Sequence, residues 1–457
     1  MNRFRVGGAL VCMIFLFSIV LVPVANADWT MFRANPSNDG VGTGNPVLTP
    51  TLLWKTNISN ALPQGAISVS NNTYSTPVVA DNIVYICSET GVLTNYDYLP
   101  NGAPYMSFGY TYGDVYAFNA TTGAEVWDYR EAPPTAEIST GNTFSPAVAN
   151  GVVFFSFGTV GALNASDGVS LWNSTVAGAA SSLTVVGGVV YMGGGNSFEP
   201  NIYAINATNG DSIWNYTTGS EVQSSPAVVN GVVYVGSDED DVYALNATDG
   251  AKLWSYPTGD VVGSSSAVVG GVVYVGSFDG DLYALNATDG AKLWNYTSLS
   301  YTSSPAVEGG VVYISSWEGN TYALNAKDGA VLWNSSTGMQ IEASPAVVGG
   351  VVYVNNDILG ILYALNAHNG EQLWNYTLQG NVLCSPAVVN GVLYIGSGDG
   401  QVYALGSPMP SPSPTPIPPP ASFNTLPIIV VVAVVVAVVV FLIFQKRRKT
   451  KRKNPPH

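Results

Sequence analysis

The chain has 457 residues, enough for two or three ordinary domains or one large repeat array. All 30 acidic residues fall between positions 28 and 406, where only six basic residues stand against them, so this segment carries a net charge of −24 and is excluded as a phosphate-backbone-binding surface. With 49 Gly, 26 Tyr and 10 Trp but only 10% charged residues, the composition points to a β-rich, turn-rich chain, and two His leave little for imidazole chemistry.

Residues 1–27 read as a secretory signal. Arg3 and Arg5 form a basic start, an apolar run spans Val6 to Val22, and Ala25-Asn26-Ala27 gives a small-x-small cleavage pattern before Asp28. Cys12 lies mid-run, where a lipid-modified cysteine would not sit. At the other end, residues 407–425 are a proline-rich stalk, with eight prolines in 407–420 favouring polyproline II. Leu426–Phe444 is an uncharged apolar run long enough to span a bilayer, and the basic tail 445–457 follows at once. Positive charge stays on the cytoplasmic side, so the expected topology is single-pass, with residues 28–406 outside.

Between these ends one unit recurs. It is plainest at Ser225-Pro226 through Ser237, followed by Asp241 through Trp254. Trp127, Trp172, Trp214, Trp254, Trp294, Trp333 and Trp374 are spaced by 45, 42, 40, 40, 39 and 41 residues. Each unit predicts four strands: Pro226–Val229, a tight Asn230-Gly231 turn, Val232–Val235, Val242–Leu245, and an outer strand Lys252–Tyr256 that carries the Trp. A period near 40 with four short strands predicts an all-β, single-domain β-propeller. First strands begin eight times, but only seven are followed by a Trp strand. The spare strand, Leu52-Leu53-Trp54-Lys55-Thr56, lies at the front. It is predicted to complete an eighth, mixed blade and close the ring.

The run Ala244-Leu-Asn-Ala-Thr-Asp-Gly250-Ala-Lys-Leu-Trp254 resembles the tryptophan-docking motif of pyrroloquinoline-quinone-type propellers, A-x-D-x-x-T-G-x-x-x-W. Six other copies, ending at Trp127, Trp172, Trp214, Trp294, Trp333 and Trp374, keep the Ala, Gly and Trp but place Asn where the family has Asp. The resemblance covers roughly residues 50–405. It implies that each Trp, Trp54 included, packs on the next blade. Enzymes of the family are implied to use a channel with Ca²⁺ held by Glu, Asn and Asp, a catalytic Asp, and basic groups facing a tricarboxylate quinone. The six basic residues here do not supply that set. Lys55, Lys252 and Lys292 sit on Trp strands, Lys327 precedes one, and only Arg130 is placed on a channel-side loop. His368 is the single His of the segment and falls in a surface turn. The expectation is a non-enzymatic scaffold member of the family that binds protein or glycan partners at the cell surface, without cofactor or nucleic acid. The alternatives are a quinoprotein oxidoreductase and a structural envelope component.

Loops after the second and fourth strands concentrate carboxylates on one face. Asp238, Asp240, Asp279 and Asp281 are weak candidates for Ca²⁺, set against simple solvation of an exported surface. On the same face the first unit inserts Glu89 to Asp114, with Tyr96, Tyr98, Tyr105, Met106, Phe108, Tyr110 and Tyr112, an aromatic loop offered as a binding element with Trp317 in the matching loop of unit six. Asn57, Asn71, Asn119, Asn164, Asn173, Asn206, Asn215, Asn246, Asn286, Asn295, Asn334 and Asn375 open Asn-x-Ser/Thr sequons. Cys87 and Cys384 are placed on neighbouring blades across the closure seam, either as a disulfide stapling first repeat to last or as two separate buried thiols.

Overall fold

The computed structural model describes residues 28–406 apart from 59–68, 73–74, 99–103, 132–143, 158, 195–199, 298, 301–302 and 339. The signal, stalk, membrane span and basic tail expected from the sequence lie outside the described residues. Among the described residues no helix is long and apolar enough to cross a membrane.

Eight sheets form eight blades, each running in order from an innermost to an outermost strand. Blade four is typical. Ala227–Val229, Val232–Gly236, Asp241–Asn246 and Lys252–Pro257 pair antiparallel in sequence order. Asn230 and Gly231 both take positive φ (52° and 77°), the type I′ geometry whose twist matches the strands it joins. The second and third strands are buried through their centres, because a neighbouring blade covers each face. The hydrophobic clusters accordingly lie between blades. One contains Tyr234 and Trp254 of blade four with Val273 and Tyr283 of blade five.

The tryptophans lock these seams. Each outermost-strand Trp makes a tilted ring pair with a Tyr or Phe of its own blade at 5.8–6.0 Å. Its indole N–H reaches a backbone carbonyl of the next blade's turn. Trp214 Nε1 donates to Ala247 O at 3.0 Å, Trp254 to Ala287 at 3.0 Å, and Trp54 to Ala120 at 2.9 Å. The second-strand tyrosine donates to the same carbonyl, as Tyr234 does to Ala287 at 3.1 Å. Trp127, Trp172, Trp214, Trp254, Trp294, Trp333 and Trp54 all make this bond to an alanine carbonyl of the next blade, and Trp374 makes a different one.

Blade eight is mixed, as the strand count requires. Leu52–Asn57 pairs antiparallel with Gln401–Gly406, and Trp54 faces Ala404. The sequence after Ala404-Leu405-Gly406 carries no Asn-x-x-x-Gly docking turn to receive Trp374. Val47 fills that place: Trp374 Nε1 donates to Val47 O at 2.9 Å, and the Val47 amide donates to the Tyr353 hydroxyl at 2.6 Å.

The insertion of blade one is not a loop. Its second and third strands lengthen to Ile83–Tyr98 and Pro104–Asn119, paired through Tyr98↔Pro104, and Val69–Asn72 adds a further strand. The segment's alternating Val, Thr and Tyr favour extended backbone over a loop. The backbones of Tyr96, Tyr98, Tyr105, Phe108, Tyr110 and Tyr112 thus lie in a ribbon at the channel-mouth end of the blade.

No disulfide joins Cys87 and Cys384, both of which are buried. Of the two alternatives the structure has the separate buried thiols, and the repeat gives the reason. Ser224 of blade four bonds Gly236 of its own second strand at 2.8 Å. Cys384 occupies the equivalent of Ser224 in blade eight, and its thiol donates to Gly396 O at 3.3 Å. Cys87 occupies the equivalent of Gly236 in blade one, and its amide donates to Ser75 Oγ at 3.2 Å. The Cys384 thiol and the Cys87 amide are thus bonded within their own blades, and the Cys87 side chain packs in the cluster between blades one and two.

The indole also lies against a glycine. A Cβ on Gly250, at φ +73°, would come within 2.7 Å of Trp214 Cε3. We expect Gly250→Ala to cost roughly 1–3 kcal/mol, from the left-handed backbone and the collision with the ring, read as a lowered urea midpoint with unchanged slope. An unchanged midpoint would show that the indole seat is not under steric constraint.

Candidate functional site

A propeller of eight three-residue innermost strands leaves a row of backbone N–H groups facing the axis, and these need partners. Residues 29–42 supply them. Trp29 and Val79 exchange backbone hydrogen bonds at 2.8 and 2.7 Å. The amides of Val148, Val228, Val268, Val307 and Val347 donate to the carbonyls of Thr30, Pro36, Ser37, Asp39 and Gly40 at 2.6–2.9 Å. The channel is thus filled by the chain's own N-terminal segment, bonded to the innermost strands of blades one, two, four, five, six and seven. Met31 packs into the cluster between blades two and three. Arg33, Ala34 and Asn38 take positive φ to make these bends.

Arg33 is buried within this coil. Its guanidinium donates to the carbonyls of Pro345 at 2.8 Å and Pro305 at 2.5 Å, and burial lowers its pKa against the opposing charge of Asp39. Asn38 Nδ2 spans the carbonyls of Ser225 and Pro226 at 3.1 and 3.0 Å. Sequence reasoning missed both. Arg130, expected at a channel-side loop, instead ends an outermost strand, with its guanidinium 2.7 Å from buried Asp114.

Above the filled channel lies a mouth of about 540 Å³. Its floor carries a ring of hydroxyls. The amide of one blade's Ser or Thr donates to the hydroxyl of the next: Thr76 to Ser145, Ser145 to Ser182, Ser225 to Ser265, Ser265 to Ser304, Ser304 to Ser344, Ser344 to Ser385, and Ser385 back to Thr76, all at 2.8–3.2 Å. At the seam between blades three and four the link is Thr184 Oγ1 to Pro226 O at 2.7 Å. The seven hydroxyls that accept an amide each retain a hydrogen of their own to donate. Phe32 from the N-terminal segment, with Phe278 and Trp317, gives the mouth its aromatic wall; the latter two are 39% and 42% exposed. Trp317 was an expected binding residue and lines this mouth.

The carboxylate candidates do not gather. Asp279 accepts from the Tyr283 hydroxyl and the Gly259 amide, both at 2.7 Å. Asp281 accepts from Asn295 Nδ2 at 2.7 Å, and Asp238 from Gln223 Nε2 at 2.7 Å. Asp240 gives its carbonyl to the Thr258 amide, while neighbouring Glu239 accepts from Tyr243. Among the described residues no three His, Cys, Asp or Glu side chains converge as a metal site would require. Beside the mouth, however, Asp357 is buried. Burial pushes its carboxyl up to about 7 against the amides of Glu342 and Ala343 and Asn355, and the Glu342 charge adds to the rise.

Residues 111–199, 156–324 and 318–407 match the family described as outer membrane protein assembly factor BamB. The chain belongs to this BamB-like family of propeller repeats. A segment of 143 residues is 29% identical to BamB of Salmonella typhimurium, covering 30% of this chain and 29% of that protein. The crystal structure of BamB from Moraxella catarrhalis superposes with TM-score 0.57 at 19% identity, covering 78% of this chain and all of that one. Quinohemoprotein alcohol dehydrogenase from Comamonas testosteroni gives 0.63 at 15% identity over 84% and 81% of the two chains. A europium-containing methanol dehydrogenase gives 0.65 at 12% over 83% and 98%. At these identities the structural matches establish the propeller fold alone.

The quinone and cation set implied by the dehydrogenases does not fit this BamB-like chain. Residues 29–42 occupy the channel, Arg33 is committed to two backbone carbonyls, and among the described residues Glu342 is the one charged side chain lining the mouth. A tricarboxylate there would meet repulsion without a compensating cation.

Asp357 makes folding pH-dependent. Its ordinary pKa of 3.8 rises to about 7 on folding, so between these values the folded state holds a proton that the unfolded chain lacks. Stability from this group is full below about pH 4 and declines as pH rises towards 7. We expect Asp357→Asn to flatten the decline in melting temperature between pH 5 and pH 8 and to melt higher than the parent at pH 8. Parallel pH profiles would contradict this.

Proposed function

We propose that this BamB-like propeller is a non-catalytic binding scaffold of the cell envelope that receives a protein partner at the channel mouth. The observation carrying this reading is the channel filled by residues 29–42. It converts the position used for a cofactor by enzymatic relatives into a shallow basin with hydroxyl donors below and aromatic side chains around. Exposed aromatics over a polar floor suit partner side chains and backbone better than a buried small molecule. The relatives from Salmonella and Moraxella, named as an assembly factor and as BamB, support a protein partner. The blade-one ribbon stands at the same end and offers further edge.

A photo-reactive amino acid at position 278 or 317 of the full chain, activated in the cells that make it, tests the reading. We expect a defined protein adduct from both positions, none from position 253 on the outer rim, and its loss from a probe at 278 when Trp317 is changed to Ala. Equal labelling from the rim would contradict mouth recognition. Dye reduction by residues 28–406 with quinone and Ca²⁺ would replace the scaffold reading with a dehydrogenase.

A further inference from the structure

The outermost strand of every blade ends its sheet, so one backbone edge faces solvent around the rim. Such edges invite edge-to-edge pairing unless charges, irregularities or cover protect them. Here they are also apolar. Leu171, Ile213, Leu293, Leu332 and Leu373, each preceding its docked Trp, are half-exposed.

In these same five blades the residue after the Trp is an asparagine that opens a sequon. Asn173, Asn215, Asn295, Asn334 and Asn375 are exposed, and so are their hydroxyl partners Thr175, Thr217, Thr297, Ser336 and Thr377. Strand pleating places residues i and i+2 on one side, so amide and hydroxyl are presented together, just beyond the exposed aliphatic. The blades that depart from the pattern are informative. Blades one and eight put the charges of Asp128 and Lys55 at the position after the Trp, and both are exposed. Blade four has Ser255, followed by Pro257, which removes an amide from the end of the strand. Every blade therefore carries a sequon, a charge or a proline at its edge.

The docking-turn sequons differ. Asn119, Asn164, Asn206, Asn246 and Asn286 each accept the amide two residues on through Oδ1 at 2.8–3.0 Å. Asn325 and Asn366, which open no sequon, do the same at 2.9 Å. Turn formation alone explains asparagine there. It does not explain the rim.

We propose that the rim asparagines Asn173, Asn215, Asn295, Asn334 and Asn375 carry N-linked saccharides that cover the exposed aliphatic edge of their blades. A host transferase would join each Asn Nδ2 to the anomeric carbon of a lipid-linked saccharyl phosphate. The new C–N bond replaces the carbon–oxygen bond to phosphate, whose electron pair leaves on the phosphate oxygen, and one Nδ2 proton is released. A polar, bulky group beside each aliphatic blocks pairing of a second strand.

The full chain isolated from the membranes of its own cells tests this by site-resolved peptide mass analysis. We expect a saccharide mass on the five rim peptides, whatever the turn peptides carry. A second chain with Thr175, Thr217, Thr297, Ser336 and Thr377 changed to Ala keeps all five asparagines. It should lose those masses and shift from monodisperse particles to larger ones by light scattering. Rim peptides recovered unmodified would overturn the proposal. A modified rim whose loss leaves the particle size unchanged would overturn the covering role.

Discussion

Backbone hydrogen-bond donors on the channel axis are the constraint on which the rest of this structure depends. Eight innermost strands of about three residues each pair on one side only, and water reaches the axis of a closed ring poorly. The N-terminal segment resolves this from inside. Its carbonyls take the amides of Val148, Val228, Val268, Val307 and Val347, while Arg33 and Asn38 take the reverse groups, the carbonyls of Pro305, Pro345, Ser225 and Pro226. The same segment then supplies Val47 as the missing docking turn and Leu52–Asn57 as the missing outer strand. One stretch of about 30 residues thus holds the ring at the axis, at the seam and at the rim. Trp29, Val47, Trp54 and Ile58 accordingly share one hydrophobic cluster with blades seven, eight and one.

The proposed function rests on the filling. A channel closed by its own chain presents only its mouth. There the repeat contributes a hydroxyl from each blade, and Phe32, Phe144, Phe278 and Trp317 contribute the aromatics. On the proposed reading, the exposed aromatics outside the repeat would set which partner is taken, above a floor of hydroxyls that every blade supplies.

The repeat was legible in the sequence because its physics is local. Asn230-Gly231 fixes a turn, the apolar runs fix buried strands, and the Ala–Gly–Trp frame fixes the seam. Even the mixed blade could be counted from one spare Trp strand. The N-terminal segment was not legible beyond Leu52–Asn57. Residues 29–42 recognise backbone groups of other strands, and backbone partners impose no periodicity on the side chains opposite. Arg33 offered no signal either, since arginine is usually solvent-exposed and its carbonyl acceptors leave no charge partner to find. The cysteine bridge misled for a related reason. Neighbouring blades suggested proximity, whereas each thiol occupies a position that the repeat already uses within one blade.

The most direct measurement of the central claim is thermal unfolding of a mature chain lacking residues 28–42 but keeping Leu52–Asn57, followed by circular dichroism and near-ultraviolet absorbance together. This deletion spares the blade-eight strand and removes the axial partners together with Trp29, Met31 and Phe32. The account predicts a melting transition that is broad, lower by well over 10 °C, or lost, since several buried backbone groups would each forfeit roughly 1–3 kcal/mol. A sharp transition at the parent's temperature would show that the ring holds itself and that the N-terminal segment merely occupies its channel.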